Sequence, residues 1–265
     1  MDIKTTAITA AKKAGEVLLE LSKKEIQYEM KNKHDIVAEA DLKSEQIILD
    51  TISQNFPEHS IFAEEKGEVI KDSEYTWIVD PLDGTINFSR GLDEYCISIA
   101  VEKNNETILG LIYQPHLNKT YLAEKGKGAF LNEKKLHVSN ESEMINMMLY
   151  MGSTSNIKYR IKSFQVLSKV CGQVRNIRMF GSGSLELSKI AAGQLDIYFK
   201  LLRAHYWDYA PGILLVEEAG GMATDLAGDK FTKHSNFCVV SNGKKHQELL
   251  DILNKELNEV QNLWK

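Results

Sequence analysis

The apolar residues of this 265-residue chain change their pattern along its length, and this change constrains the fold more than any other feature. The first half contains short β-type runs separated by turn residues, which predict strands that pair mainly antiparallel. The second half alternates strand-like and helix-like segments, which is typical of βα units. Strands followed by alternating helices and strands predict a mixed α+β and α/β fold in two halves, 1–143 and 144–265.

Helical spacing of apolar residues predicts a first helix over Ile3–Leu21. A second helix is predicted to begin after Asp41 as its N-cap and to end before Pro57. The predicted strands of the first half are 61–63, 76–79, 95–101, 107–113, 119–123 and 129–131. The predicted helices of the second half are 158–170, 184–192, 207–219 and 245–263, and its predicted strands are 176–180, 196–200 and 237–241.

The composition is that of a folded, weakly acidic protein. Apolar residues make up 43% of the chain, and 32 Lys and Arg oppose 37 Asp and Glu, for a net charge of −5. The chain has no stripe of basic residues of the kind that indicates nucleic-acid binding. Its negative charge by itself disfavours an anionic substrate. Three widely spaced cysteines predict neither a disulfide framework nor a thiolate metal site. Without a run of about 18 apolar residues or a leader-like N-terminus, we expect no membrane partner and a cytoplasmic location.

The segment WIVDPLDGTINF (77–88) has the clearest chemical pattern. A β-type run ends at Asp80, the following proline closes the strand, and Asp83-Gly84 forces a turn. Two carboxylates three residues apart at such a turn can face one small volume, with the Leu82 carbonyl between them. A hard divalent cation such as Mg2+ prefers oxygen ligands of this kind. A plain type I turn with a capping aspartate is the alternative interpretation.

Further acidic residues lie at the ends of other predicted elements. Glu64 and Glu65 follow a strand, Asp208 opens a helix, and Asp35 and Asp41 flank the segment that leads into the second helix. Each has a simpler explanation as a solvated acid or a partner of a helix dipole. Together they would repel one another unless cations neutralise them. An oxygen-only set without a histidine pattern favours Mg2+ over zinc.

The loop Gly181-Ser182-Gly183-Ser184 lies between a predicted strand and a predicted helix, so its backbone N–H groups could bind an anion. It is not a dinucleotide fingerprint, because Glu186 stands at the third glycine position. The chain also lacks a P-loop and a G-x-S-x-G elbow. Water activated by metal is therefore a better candidate nucleophile than a protein side chain.

The motifs of the chain resemble those of the inositol monophosphatase family. WIVDPLDGTINF (77–88) looks like its first signature, and WDYAPGILLVEEAGG (207–221) resembles its second. FAEE (62–65), DIVAEAD (35–41) and GKGAF (126–130) follow the family's order, so the resemblance covers most of the chain. It implies the layered αβαβα sandwich of the sugar-phosphatase fold. It also implies a Mg2+-dependent, lithium-sensitive phosphomonoesterase, often a homodimer, acting on a small phosphorylated substrate.

Carried over by position, the resemblance implies two to three Mg2+ ions per site. Glu64, Asp80 and the Leu82 carbonyl would bind the first ion. Asp80, Asp83 and Asp208 would bind the second, and Glu64 would also contact a weaker third.

The resemblance further implies that Thr85, paired with Asp41, orients the water that attacks phosphorus. Asp83, Gly84 and Thr85 would contact the phosphate, and the loop Gly181-Ser182-Gly183 would lie on the substrate side.

One departure from the family bears on the substrate. Animal members carry an acid seven residues before the second signature's aspartate, where it binds inositol hydroxyls; Leu201 stands there, with Arg203 nearby. A guanidinium would suit a second phosphate or a carboxylate. The hypotheses are therefore hydrolysis of inositol monophosphate, or of other phosphates such as fructose 1,6-bisphosphate, the 2′-phosphate of NADP or a 3′-phosphoadenosine nucleotide. A regulatory binding protein that retains the site is the alternative of another class.

Overall fold

The structure is a computed structural model that describes residues 1–23, 28–30, 36–152, 154–201 and 205–262; at 28–30, 36–38 and 258–262 it describes the backbone alone. Asp35 and Arg203 lie outside the described residues. The helices are α1 Ile3–Leu21, α2 Glu39–Asn55, α3 Thr85–Ser89, α4 Ile157–Val170, α5 Gly183–Ala191, α6 Tyr206–Glu218 and α7 His246–Asn262. The strands are β1 Tyr28–Met30, β2 Ile36–Ala38, β3 Ser60–Ala63, β4 Gly67–Val69, β5 Tyr75–Asp83, β6 Cys96–Lys103, β7 Glu106–Gln114, β8 Lys119–Glu124, β9 Gly128–Leu131, β10 Lys134–Lys135, β11 Met148–Met151, β12 Asn176–Arg178, β13 Ile197–Lys200, β14 Met222–Thr224 and β15 Cys238–Ser241.

Helices α1 and α2 form the outermost layer. Asp2 caps α1, because its carboxylate accepts a hydrogen bond from the Thr5 N–H at 2.7 Å. The predicted bounds of this helix are confirmed. Its inner side carries fully buried alanines, and small side chains let α1 approach both α2 and the sheet beneath. None of the helices in the described ranges combines the length and apolar composition needed to cross a membrane.

An eight-stranded sheet forms the second layer, in the order β10-β9-β8-β7-β6-β5-β3-β4. Its strands pair antiparallel, as predicted, except that β3 and β5 run parallel. This exception matters for the site, because parallel neighbours end at the same edge of a sheet. The residues that follow β3 therefore lie beside the end of β5.

A five-stranded sheet of the second half has the order β12-β11-β13-β15-β14. Strand β11 pairs parallel with both β12 and β13, whereas β15 pairs antiparallel with β13 and β14. The sequence did not predict β11. It is a four-residue apolar run without polar alternation, and buried strands of parallel sheets lack the period-two signal.

The two sheets sandwich helices α5 and α6, and helices α4 and α7 cover the far face of the five-stranded sheet. Separate apolar cores fill the three interfaces between layers. The predicted αβαβα sandwich is confirmed. At Gly110 of β7, an added Cβ would lie 2.6 Å from the Pro211 carbonyl of α6, so this glycine permits the close approach of helix and sheet. The division at residue 143 stays a prediction.

Two predicted bounds near the acidic segments are wrong. Helix α2 begins at Glu39, so Asp41 lies in its first turn, 2% exposed, instead of serving as the N-cap. Strand β5 does not end at Asp80 but continues to Asp83. The missing N–H of Pro81 interrupts the ladder without ending the strand, and pairing with β6 resumes at Asp83 opposite Cys96.

Candidate active site

The ends of β3 and β5 bring Glu64 next to Asp80. In the parallel register Ala63 lies opposite Val79, and the Glu64 N–H donates to the Val79 carbonyl at 3.1 Å. The Glu64 and Asp80 side chains lie close enough for each to shift the pKa of the other. Residues from two separate strands thus place two carboxyl groups in contact at one sheet edge.

An irregularity in β5 turns the Leu82 carbonyl out of the sheet. The register with β6 shifts between Asp80 and Asp83, and the Asp80 carboxylate accepts from the Leu82 N–H at 2.9 Å. The Leu82 carbonyl accepts from the Thr85 hydroxyl at 3.0 Å. Bulges commonly redirect groups in this way next to active sites. The expected carbonyl between two aspartates therefore lies in a strand bulge instead of a terminal turn, and Thr85 is its hydrogen-bond donor.

Gly84 makes the connection from β5 to α3. Its φ is +101°, and a Cβ at this position would lie 2.7 Å from the Glu94 carbonyl, so both backbone conformation and space require glycine. Thr85 then begins α3, and its hydroxyl lies 3.4 Å from Asp41 Oδ1 on α2. The threonine and the aspartate that the family resemblance pairs therefore face each other across two helix starts.

The loop Gly181-Ser182-Gly183-Ser184 binds an anion, but that anion is the protein's own Asp83. Asp83 Oδ2 accepts from the Ser182 hydroxyl at 2.8 Å and from the Ser184 N–H at 2.7 Å. Ser182 is also the N-cap of α5. The N-terminus of a helix with its positive dipole end is a favourable place for a carboxylate.

Asp208 reaches the same region from the first turn of α6. The Ser184 hydroxyl donates to the Asp208 carbonyl at 2.8 Å, and the Ser98 hydroxyl donates to the Trp207 carbonyl at 3.1 Å. These two bonds tie the start of α6 to α5 and to β6. The Asp208 carboxylate lies 3.7 Å from Lys200 Nζ.

Burial and mutual repulsion disfavour the ionised forms of these carboxyl groups. Burial, followed by the charges of Asp208 and Asp41, raises the pKa of Glu64 to about 8. Burial and then Asp208 raise the pKa of Asp83 to about 6, against the opposing hydrogen bonds from Ser182 and Ser184. Burial and the neighbouring Glu64 raise the pKa of Asp80, and burial raises that of Asp208 against the nearby Lys200. Such a cluster is stable in its ionised form only when positive charge enters it.

A cavity of about 290 Å3 opens beside Asp83 and Asp208. Its other walls include Gly181, Ser182, Gly183, Thr154 and Arg160, together with Glu186, Tyr198 and Lys200. Thus the predicted substrate-side loop does line the cavity next to two of the acids.

The basic residue of β13 that reaches this cavity is Lys200, which the sequence patterns did not single out, whereas the predicted Arg203 lies outside the described residues. Leu201 is 1% exposed in the core against α4 and α7, so it has no access to a ligand. Successive side chains of a strand alternate between its faces. Tyr198 and Lys200 share the cavity face, and this alternation was the signal in the sequence that could have identified Lys200.

Glu186 is a second residue that the sequence did not identify as part of the site. It is 1% exposed, and its Oε1 accepts from the N–H groups of Phe180 and Gly181 at 2.9 and 3.2 Å. Burial raises the pKa of Glu186 to about 8. From the other side, the Asn87 amide donates to the Phe180 carbonyl at 2.6 Å. The substrate-side loop is therefore fastened to both α5 and α3.

The donor set fits a hard divalent cation in its chemistry. It consists of carboxylates and one carbonyl oxygen, and the raised pKa values of the acids show a demand for positive charge. Among the described residues, no group of three His, Cys, Asp or Glu side chains lies close enough together to hold a metal ion as it stands. The fit therefore rests on ligand type and charge.

Fold and site together are typical of phosphatases that act on small esters, and the comparisons with known proteins agree. The model of the inositol monophosphatase family matches residues 2–261. The "Fructose-1,6-bisphosphatase/inositol-1-monophosphatase" of Thermotoga maritima is 37% identical over 85% of each chain. "Inositol monophosphatase 2" of Solanum lycopersicum is 34% identical over 94% of this chain and 97% of its own. The structure of "extragenic suppressor protein suhB" from Bartonella henselae superposes with a TM-score of 0.91 at 33% identity, covering 96% and 98% of the two chains.

The protein therefore belongs to the class of phosphoric monoester hydrolases. The chain belongs to the inositol monophosphatase family. The family resemblance of the sequence motifs is thereby confirmed.

Proposed function

We propose that the chain is a Mg2+-dependent phosphomonoesterase that hydrolyses inositol monophosphate or a related small phosphate ester with water as the nucleophile. The observation that carries this proposal is the burial of four acidic side chains, those of Glu64, Asp80, Asp83 and Asp208, whose pKa values burial raises. Two of them, Asp83 and Asp208, line the cavity. Burying mutually repelling acids is costly in a site without cations.

The residues proposed to hold two to three Mg2+ ions are those that the resemblance implies. Glu64, Asp80 and the Leu82 carbonyl would bind one ion, Asp80, Asp83 and Asp208 a second, and Glu64 a third. Bound Mg2+ would supply positive charge that neutralises these acids and polarises both the phosphate and the attacking water. The chain's net charge of −5 then says little about its substrate, since the acids concentrated here would be neutralised.

Thr85 is proposed to orient the attacking water. Its single hydroxyl proton is directed to the Leu82 carbonyl at 3.0 Å or to Asp41 at 3.4 Å. Both are acceptors, so the lone pairs of Thr85 Oγ1 remain available to accept a hydrogen bond from water. Asp41 would then take up the proton that leaves the water during attack.

The phosphate is proposed to bind between Asp83, Gly84 and Thr85, with Gly181, Ser182 and Gly183 towards the rest of the substrate. Support for this comes from the cavity, which the loop lines directly beside Asp83. Arg203 belonged to this predicted set and lies outside the described residues.

Phosphate release from a panel of esters, with and without Mg2+, tests the proposal. Inositol 1-phosphate, fructose 1,6-bisphosphate, NADP and 3′-phosphoadenosine 5′-phosphate cover the substrates considered. We expect metal-dependent turnover of at least one ester and a loss of about 10²-fold or more in Asp83→Asn. Asp93→Asn, which removes an exposed carboxylate near His116, is the matched control and should turn over normally. Equal turnover of the Asp83 variant and wild type would contradict the metal assignment.

Two of the similar proteins suggest alternatives. The name of the Thermotoga maritima relative combines two phosphatase activities, which favours a substrate range wider than inositol monophosphate. The similar structure named extragenic suppressor protein suhB is consistent with a regulatory role that retains the site. Absence of phosphate release from every ester, with Mg2+ binding intact, would favour that second role. Homodimerisation, lithium sensitivity and a cytoplasmic location are further proposals that rest on the resemblance and the composition.

A further inference from the structure

Two carboxylates divide the backbone N–H groups at the substrate-side loop between them. The Ser184 N–H donates to Asp83, whereas the N–H groups of Phe180 and Gly181 both donate to Glu186 Oε1, at 2.9 and 3.2 Å. An N–H group that already binds a side-chain carboxylate has no second proton for an anionic ligand. The part of the cavity wall next to Glu186 therefore suits hydrogen-bond donors better than anions.

Glu186 uses only one of its two carboxylate oxygens for these bonds. In the described part of the chain, nothing donates a hydrogen bond to its Oε2. The side chain is 1% exposed and lines the cavity. A buried carboxylate oxygen without a donor is costly, and the cavity is the side from which a donor can come.

The proposed metal site does not use Glu186. Among the described residues, the acids that line the cavity are Asp83, Asp208 and Glu186, and the first two are proposed to bind Mg2+. Lys200 lines the cavity as well, and its ammonium has three N–H donors, so its ion pair with Asp208 leaves others available. An acceptor and a donor in one cavity fit a hydroxyl group, which both donates and accepts.

We propose that Glu186 Oε2 accepts a hydrogen bond from a free hydroxyl of the alcohol that carries the hydrolysed phosphate. Glu186 thereby selects phosphate esters of polyols over esters of alcohols without a second hydroxyl. This inference rests on the proposed function and names a specificity-determining residue for its leaving group. The cavity of about 290 Å3 is at the lower end for ligand sites and suits one sugar-sized group.

The test uses pairs of esters that differ only in their free hydroxyls. Inositol 1-phosphate is paired with cyclohexyl phosphate, and glycerol 1-phosphate with propyl phosphate. We expect wild type to prefer the polyol ester by about tenfold or more in kcat/KM in at least one pair, because a site built to bind a hydroxyl discriminates against the analogue that lacks it.

Glu186→Gln keeps the shape of the side chain and one oxygen that can accept from Phe180 and Gly181. It places an amide NH2 where Oε2 lies, so the charged acceptor is lost. We expect kcat/KM for the polyol ester to fall about tenfold, mainly through KM, and the plain ester to change little. Glu186→Ala also releases the loop, so it should lower both esters further by a common factor.

Glu133→Gln is the matched control. It makes the same exchange at an exposed carboxylate that does not line the cavity, and it should leave the rates and the preference unchanged. Calorimetric titration with inositol, in the presence of Mg2+ and inorganic phosphate, gives a readout without turnover. The affinity for inositol should fall about tenfold in Glu186→Gln and stay at the wild-type value in Glu133→Gln.

The outcomes distinguish this inference from the proposed function. Equal losses on both esters of a pair in Glu186→Gln would mean that Glu186 only holds the loop, and would overturn the inference while hydrolysis itself stands. A wild-type enzyme without preference in either pair would overturn it as well. If no ester releases phosphate with Mg2+, the proposed function has failed, and an unchanged affinity for inositol in Glu186→Gln would then overturn the role of Glu186 too.

Discussion

Ser182 and Asp83 are 99 residues apart in the chain, yet the Ser182 hydroxyl lies 2.8 Å from Asp83 Oδ2. The bond joins the N-cap of α5 to the end of β5 in the large sheet. The Ser184 N–H donates to the same oxygen at 2.7 Å. One carboxylate of the candidate metal site is therefore oriented by a helix from the other half of the chain.

The Ser182→Ala variant should lose both functions of this hydroxyl. It removes the N-cap acceptor for the Leu185 N–H and one donor to Asp83, so we expect a loss of about 1–2 kcal/mol in the free energy of unfolding. Chemical denaturation measures this change. Activity should also fall, because Asp83 is less firmly oriented.

Ser188→Ala is the control on the same helix. Its hydroxyl donates to the Leu185 carbonyl at 2.8 Å within α5 and also contacts the Tyr121 hydroxyl, away from Asp83. Its removal should cost less than that of Ser182 and leave activity unchanged. Equal stability of the two variants would show that the bond to Asp83 contributes nothing.

Thr85→Val should lower kcat by about 10²-fold with little change in KM, since the hydroxyl that is proposed to orient water is lost while the shape is kept. Thr85→Ser retains a hydroxyl that can reach the Leu82 carbonyl and should keep most of the activity. Steady-state kinetics on the best ester of the panel measures both. A valine variant with the kcat of wild type would exclude this role for Thr85.

Mg2+ should raise the melting temperature of wild type, because ions that bind only the folded state stabilise it by mass action. In metal-free buffer Asp83→Asn should melt above wild type, since it relieves repulsion from Asp208 and still accepts the hydrogen bonds of Ser182 and Ser184. The variant should then gain less from Mg2+. Differential scanning calorimetry across a Mg2+ series tests both statements, and an unchanged Mg2+ response in the variant would contradict them.

His246 offers a pH test away from the site. It is 4% exposed; its Nε2 lies 2.8 Å from Thr224 Oγ1, and its Nδ1 lies 2.8 Å from Ser241 Oγ. Thr224 donates its proton to the Asp225 carbonyl, so it accepts from Nε2–H, which leaves Nδ1 as the acceptor from Ser241. A second ring proton would displace this last bond. The packing therefore favours the neutral imidazole.

Burial lowers the pKa of His246 from 6.5 to about 4. The unfolded chain binds this proton first, so the contribution of His246 to stability is complete above pH 6.5, falls between pH 6.5 and about 4, and is constant below. The loss is about 3 kcal/mol at most. Unfolding free energies of wild type and His246→Gln across this range should converge as the pH falls. Parallel curves would contradict the assignment.

Most of the local structure was predictable from patterns within the sequence. Helix α1 has the predicted bounds, and most predicted strands and helices differ from the observed ones by a residue or two at their ends. Errors occurred where tertiary contacts outweigh local signals. Asp41 resembles an N-cap, but it lies within α2 opposite Thr85, and β5 passes through a proline because its neighbours hold the pairing on both sides of the bulge.

The sequence by itself determined which candidate oxygen ligands occur together, namely the carboxylates of Asp80 and Asp83 and the Leu82 carbonyl between them. It also determined the glycine that the next turn requires. These are consequences of chain order and backbone conformation. Only the tertiary structure decided that Lys200, and not Leu201, enters the cavity, and that α5 orients Asp83. Alternation along a strand shows which side chains share a face, but which of the two faces lines the cavity depends on the layers packed on either side. The relative placement of elements that are distant in the chain likewise depends on their packing.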